Sequence, residues 1–364
     1  MKYHIRSDSG KPAYLQLYEQ LRRDIVTNVL TLGVRLPSKR LLAEETGVSV
    51  ITVEHAYAIL CDEGYIESRQ RSGYYVIYRE RDFIPGGEIL SGTMPGAGPV
   101  RTDREEFPFF QLAKTMRKVL ADYGENILVK SHDHGCIQLR TAIAAYLARS
   151  CGIFASPEQI VIGSGAEYLY SLIVQLLGGG GGFALEDPSY EKIRQVYEAS
   201  GASCQLLKLG ADGILTTELA RTSAQVLHIT PFNSFPSGIT ASVSKRQEYL
   251  RWADLRQGWI IEDNYDSELT VSRKNEDTVF SLSAAGRVIY LNTFSRTVAP
   301  SLRVGYMVLP EQLLEVYRAK LDFYSCTVPV FEQYVLAELL NSGDFERHIN
   351  RVRRARRKAK GGSS

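Results

Sequence analysis

One segment of this chain keeps no sustained hydrophobic period, and that break constrains the fold more than any other feature. Residues 80–106, ERDFIPGGEILSGTMPGAGPVRTDREE, are rich in glycine, proline and charge. That composition suits a connection between domains and supports no packed element. The 364 residues therefore divide into a small domain at 1–79, a linker at 80–106, a large domain at 107–352 and a basic tail at 353–364. With 44% hydrophobic and 23% charged residues, both sides of the linker have the material for a globular core. No apolar run approaches the roughly 20 residues of a membrane span, and the N-terminal MKYHIRSDSGKPAY lacks the apolar stretch of a secretory leader. Cys61, Cys136, Cys151, Cys204 and Cys326 are scattered with no C-x-x-C pair. That argues against a zinc site or disulfide framework and for a reducing cytoplasm.

In the small domain, apolar residues at Leu15, Tyr18, Leu21, Ile25 and Leu30 follow a helical period over 11–30. Pro12 stands near its start, where a missing N–H costs nothing. Ser38 caps a short second helix that ends at Gly47, and Ser49 caps a third over about 51–62, closed by Gly64. Two β-like runs, YIES and YYVIY, follow around RQRSG. Three helices and a hairpin in this order make a winged helix-turn-helix, with the third helix as the reader of duplex DNA. Arg69 and Arg71 flank the hairpin tip, within reach of phosphates.

LPSKRLLAEETGVS, ITVEHAYAILCDEGYIESR and SGYYV, covering nearly all of 12–78, resemble the winged helix of the GntR family of bacterial transcription factors. The resemblance implies DNA contacts from Arg40, Ser49, Thr52, Arg69, Arg71, Ser72 and Gly73. Val50 stands where relatives often carry a basic residue, and Arg71 replaces the first glycine of the usual Gly-Ser-Gly wing tip. Residues 1–80 hold eleven Lys/Arg and ten Asp/Glu. One copy should therefore bind DNA weakly, and a homodimer spanning two half-sites of a double-stranded operator is expected.

Beyond the linker, helical stretches at Thr141–Arg149 and Glu167–Leu177 alternate with the short apolar runs QIVIGSG, GGFALEDP, VLHIT, GWIIEDN and RVIYLNTF. This rhythm predicts an α/β domain with a doubly wound, mostly parallel sheet and ligands at the strand C-termini. The motifs SGAE (164–167), EDPSY (186–190), TPFNSFPSG (230–238), EDNYDSE (262–268) and TFSRTVAPSLRVGY (293–306) resemble those of fold-type I aminotransferases. The whole layout resembles the MocR branch of the GntR family.

That resemblance implies pyridoxal 5'-phosphate (PLP) as cofactor. Ser164, Gly165 and Ala166 would hold its phosphate at a helix N-terminus, with Thr293, Ser295 and Arg303. Tyr190 would stack on the ring, Asp263 pair with the pyridinium nitrogen, and Tyr265 lie near the 3-oxygen. The family's Schiff-base lysine position reads Arg296, and no lysine occurs between Lys274 and Lys320. Arginine stays protonated and makes a poor nucleophile, so no catalytic residue is assigned and covalent PLP is not expected. Glu167 replaces a usual glutamine beside the phosphate loop, and Asn233 and Ser234 replace a usual His-Gln pair. Arg347 to Lys360 form a basic cluster that in relatives leads into a further small domain, so the resemblance implies a C-terminal truncation. The expected protein is a cytoplasmic DNA-binding regulator with an aminotransferase-like effector domain. The alternatives are a working aminotransferase, or a regulator that senses PLP or another anionic small molecule held without a covalent bond.

Overall fold

The computed structural model describes residues 3–5, 11–69, 72–78, 107–270 and 277–361. The expected linker and Arg71 lie outside these residues. The chain divides into two compact units, Met1–Val100 and Arg101–Ser364.

In the first unit, α1 (Ala13–Val26), α2 (Lys39–Thr46) and α3 (Val50–Asp62) precede a hairpin of β1 (Ile66–Arg69) and β2 (Gly73–Val76). α1 stops short of the predicted Leu30, because Thr27 caps it and Asn28 turns to a positive φ of 56°. α2 begins with the Ser38 hydroxyl accepting from the Leu41 N–H at 3.2 Å and ends on Gly47 at φ 69°, a left-handed cap. The core is one cluster in which Leu17, Leu21, Ile25, Leu42, Val53, Ala56, Tyr57 and Leu60 are fully buried. The hairpin is antiparallel, pairing Ile66 with Val76 and Arg69 with Gly73. The described residues of this unit form a winged helix-turn-helix.

The second unit runs α4 (Phe109–Tyr123), α5 (Ile137–Cys151), β3 (Ile160–Gly163), α6 (Ala166–Leu177), β4 (Phe183–Asp187), α7 (Glu191–Ala199), β5 (Cys204–Gly210), β6 (Gly213–Ile214) and α8 (Thr216–Arg221). It continues with β7 (Val226–Ile229), α9 (Val243–Arg256), β8 (Trp259–Asp263), α10 (Val279–Leu282), β9 (Val288–Thr293) and β10 (Gly305–Val308). It ends with α11 (Glu311–Leu321), α12 (Val330–Asn341) and α13 (Asp344–Gly361). Among the described residues the large sheet has the order β3-β10-β9-β8-β7-β4-β5-β6. The block β9-β8-β7-β4-β5 is parallel. β10 lies antiparallel between β3 and β9, and β6 turns back on β5.

After β4 the chain places β5 on one side and β7, β8 and β9 on the other, so the topological switch point lies beside β4. In such sheets the ligand crevice opens at the strand C-termini near that point. Strands β3, β7, β9 and β10 are buried along their whole length, with apolar clusters on both faces. This is why they read as continuous apolar runs rather than alternating ones.

α13 crosses the expected boundary at 352/353 without a break. Phe345, Ile349 and Val352 are buried in the domain core, and Arg353 and Arg356 donate to the carbonyls of Glu268 and Leu269 at 2.5 and 3.1 Å. The first part of the expected basic tail is thus a docked helix. No described helix is long and apolar enough to cross a membrane.

Candidate functional sites: a recognition helix and a sheet-end cavity

In the small unit, Arg40 is the second residue of α2 and exposed. Ser49 is the N-cap of α3: its hydroxyl accepts from the Thr52 N–H at 3.1 Å and pairs with the Thr52 hydroxyl at 2.8 Å. These two residues, expected on DNA, therefore first close the helix. On the wing, Arg69 bonds Glu67 at 2.6 Å and lies 4.5 Å over the Tyr75 ring, while the Ser72 and Tyr75 hydroxyls pair at 2.7 Å. Gly73, at φ 114°, lies where a Cβ would come within 3.2 Å of the Arg35 side chain.

The capping geometry predicts that Ser49→Ala lowers the small unit's stability by about 1 kcal/mol, a fall in thermal midpoint of about 4–8 °C for a unit this size. Ser49→Asp, which also caps, is expected to restore it. Calorimetry of the two variants checks this, and equal losses in both would contradict the cap.

In the large unit, a cavity of about 550 Å³ opens at the strand C-termini, within the usual range for small-molecule sites. Its walls gather Ala166, Tyr190, Asp263, Tyr265, Thr293, Ser295 and Arg303, with Arg296 beside them. Ser164 and Gly165 are not on its wall. The Ser164 N–H donates to the Thr327 hydroxyl at 3.2 Å. Gly165, at φ 90°, lets Arg303 pass where a Cβ would sit 3.0 Å from the guanidinium.

Asp263 ends β8 and is buried at the cavity floor. The Tyr170 hydroxyl donates to its Oδ2, and the Tyr265 N–H donates to Oδ1 at 3.2 Å. Burial pushes its carboxyl up to about 6, although the Tyr170 bond favours the ionised form. Behind it stands buried His228, with Nε2 3.7 Å from Asp263 and Nδ1 2.8 Å from the Tyr197 hydroxyl. Burial pushes His228 down to about 3, so it is neutral. The Tyr265 hydroxyl donates to the Asn233 carbonyl at 3.1 Å. Tyr190 sits at the cap of α7, edge-on to Phe235 with centroids 6.1 Å apart.

Both arginines of the cavity face carboxylates. Arg303 donates to Glu167 at 2.7 Å, and Lys192 approaches the other Glu167 oxygen at 3.4 Å. Arg296 donates to Asp266 at 3.3 Å, and its side chain is 53% exposed against 11% for Asp266. Asp266 also receives Asn233 Nδ2 at 3.2 Å and lies 3.6 Å from Arg356.

Tyr170, His228, Phe235 and Asp266 were not among the site residues expected from the sequence. Tyr170 lies four residues after Ala166, hence on the same helix face, which was an available signal. His228 on a strand buried on both faces gave none.

Three glutamates of the large unit are buried. Glu186 accepts from the Thr230 N–H and the Ser234 hydroxyl, and Glu262 from the N–H groups of Val279 and Phe280. Glu268 accepts from Asn292. Burial pushes each up to about 7, against roughly 4.3 in an unfolded chain. Their folded values are raised, so the stability they contribute is present at low pH and lost as pH rises through about 7. His228, His134 and His348, each lowered by burial, oppose this mainly below the unfolded histidine value of about 6.5. The large unit is therefore expected to melt higher at about pH 6.5 than at about pH 8, by on the order of 1–2 kcal/mol in stability. A lower midpoint at the acid end would contradict it.

Comparison with known proteins identifies both units. Residues 13–76 match the bacterial regulatory proteins of the gntR family, and residues 96–361 match aminotransferase class I and II. Over 363 residues the chain is 34% identical to the uncharacterized HTH-type transcriptional regulator YdeL of Bacillus subtilis, covering 95% of this chain and 77% of that protein. It is 30% identical to the probable rhizopine catabolism regulatory protein MocR of Rhizobium meliloti, over 95% and 75% of the two chains.

The chain belongs to the GntR family, in the MocR-type branch that fuses a winged helix to an aminotransferase domain.

The kynurenine aminotransferase of Pyrococcus horikoshii superposes on this GntR-family chain with a TM-score of 0.63 at 26% identity, covering 68% of this chain and 64% of that one. The aminotransferase class I and II fold is generally PLP-dependent. The cavity has the size, aromatic rim and acidic floor for a pyridine ring. Its described residues do not fit the covalently held cofactor, because none that lines it is a lysine and Glu167 already occupies Arg303 at the anion-binding end.

Proposed function

We propose that this GntR-family chain is a cytoplasmic, homodimeric regulator that binds an operator through its winged helix and uses the sheet-end cavity to bind a small effector without a covalent bond. The regulator function follows from the family. The sensing role rests on one observation: the cavity has an acidic floor and an aromatic rim, but both of its arginines are held by carboxylates and none of its described lining residues is a lysine. Such a site can bind and orient a ring-shaped anionic molecule. Arg296 on its wall supplies no nucleophile for transamination. Asp263 would hold a ring nitrogen, Tyr190 would cover a ring face, and Arg303 with Thr293 and Ser295 would receive an anionic group once Glu167 moves aside. The weak positive charge of the first eighty residues supports a dimer on two half-sites, because each copy adds only a little electrostatic attraction.

Glu167 is the latch in this reading, so Glu167→Gln tests it. Removing its charge frees Arg303 and lifts a like-charge repulsion, and the variant is expected to bind PLP about tenfold tighter. A titration following the ligand's absorbance reads this directly. Unchanged affinity would mean that Arg303 does not serve the ligand.

A further inference from the structure

The recognition helix α3, VITVEHAYAILCD, contains no lysine or arginine. Direct reading of guanine in the major groove relies most often on those two side chains, so this helix must discriminate by other means. Its buried face is Val53, Ala56, Tyr57 and Leu60, and its outward face is Val50, Ile51, Glu54, His55 and Ala58. Ser49, Thr52 and Glu54 are already engaged, and His55 lies edge-on to the Tyr14 ring with centroids 5.8 Å apart. Ser49 and Thr52 close the N-cap, and Glu54 is paired with Lys39 of α2 at 2.6 Å. Exposed at the end of the helix that enters the groove are two branched apolar side chains, Ile51 at 65% and Val50 at 43%. Leu41 of α2 is 48% exposed. None of the three belongs to the apolar core of this unit. Arg40 at the start of α2 and Lys39 beside Glu54 supply charge toward a phosphate backbone.

In the major groove one base-edge group is apolar, the 5-methyl of thymine. We infer that Ile51 and Val50 read thymine 5-methyl groups, so that the operator of this protein carries thymines in each half-site at the positions facing the start of α3. The inference rests on the DNA-binding reading above and adds the chemistry of its specificity. Burying one methyl against an isoleucine corresponds to about a fourfold change in affinity.

The test uses the full chain. Duplexes enriched from a random pool are resynthesised with deoxyuridine replacing thymine one position at a time, which removes only the methyl. At one or two thymines per half-site the replacement is expected to weaken binding about fourfold. Ile51→Ala, a change at an exposed position, should bind the thymine and uracil duplexes equally at one of those positions while its circular dichroism stays that of the parent. Val50→Ala should do the same at the neighbouring position. Uracil tolerated at every position, or an undiminished thymine preference in both variants, would overturn the inference while leaving DNA binding intact. A pool with no enriched sequence would instead overturn the regulator reading, and this inference with it.

Discussion

Treating the full chain with one equivalent of PLP and then borohydride is expected to leave every cavity peptide without cofactor mass. The reason is electronic. An amine must shed its proton to attack the cofactor's aldehyde, and a guanidinium holds its proton at any physiological pH. Arg296 is further restrained by its bond to Asp266 at 3.3 Å. Arg296→Lys shortens the side chain and supplies an amine, while Asp266 keeps Asn233 and Arg356 as neighbours. That variant is expected to acquire the label at position 296, a change from none to a substantial fraction. Cofactor mass on a cavity peptide of the unchanged chain would contradict the non-covalent reading. An unlabelled Arg296→Lys would show that Glu167 and the neighbouring carboxylates keep the cofactor out.

Arg40→Ala is expected to weaken DNA binding about tenfold at low salt, and to do so nearly equally for all sequences. Arg40 is exposed in the first turn of α2, the helix that crosses the backbone in this motif. A phosphate contact carries no base information. Its loss should also reduce the slope of log affinity against log salt by about one. Gel shifts across a salt series separate this from a change in specificity, and a loss confined to one sequence would place Arg40 on a base instead.

The small unit was legible in the sequence because its signals are local. Ser38 and Gly47 bound α2, Ser49 opens α3, and the core positions follow the 3.6-residue period. In the large unit, Asp263 and Thr293 at the ends of β8 and β9 were named from the motif resemblance, and the crevice at the strand C-termini was legible in the βα rhythm. The direction of β10 was not, because antiparallel insertion between β3 and β9 depends on contacts far apart in sequence. The pairing of Glu167 with Arg303 spans 136 residues and that of Arg296 with Asp266 spans 30. Composition near either residue does not encode such partners. His228 stayed hidden because a strand buried on both faces has no alternation to mark a polar residue as functional.

Sequence-specific binding of duplex DNA is the central claim, and fluorescence anisotropy tests it most directly. The full chain is titrated against its selected operator and against a scrambled duplex of equal length and composition, at about 0.15 M salt. The account predicts a preference for the operator of at least about a thousandfold, with both affinities falling steeply as salt rises. Equal affinity for the two duplexes would contradict it.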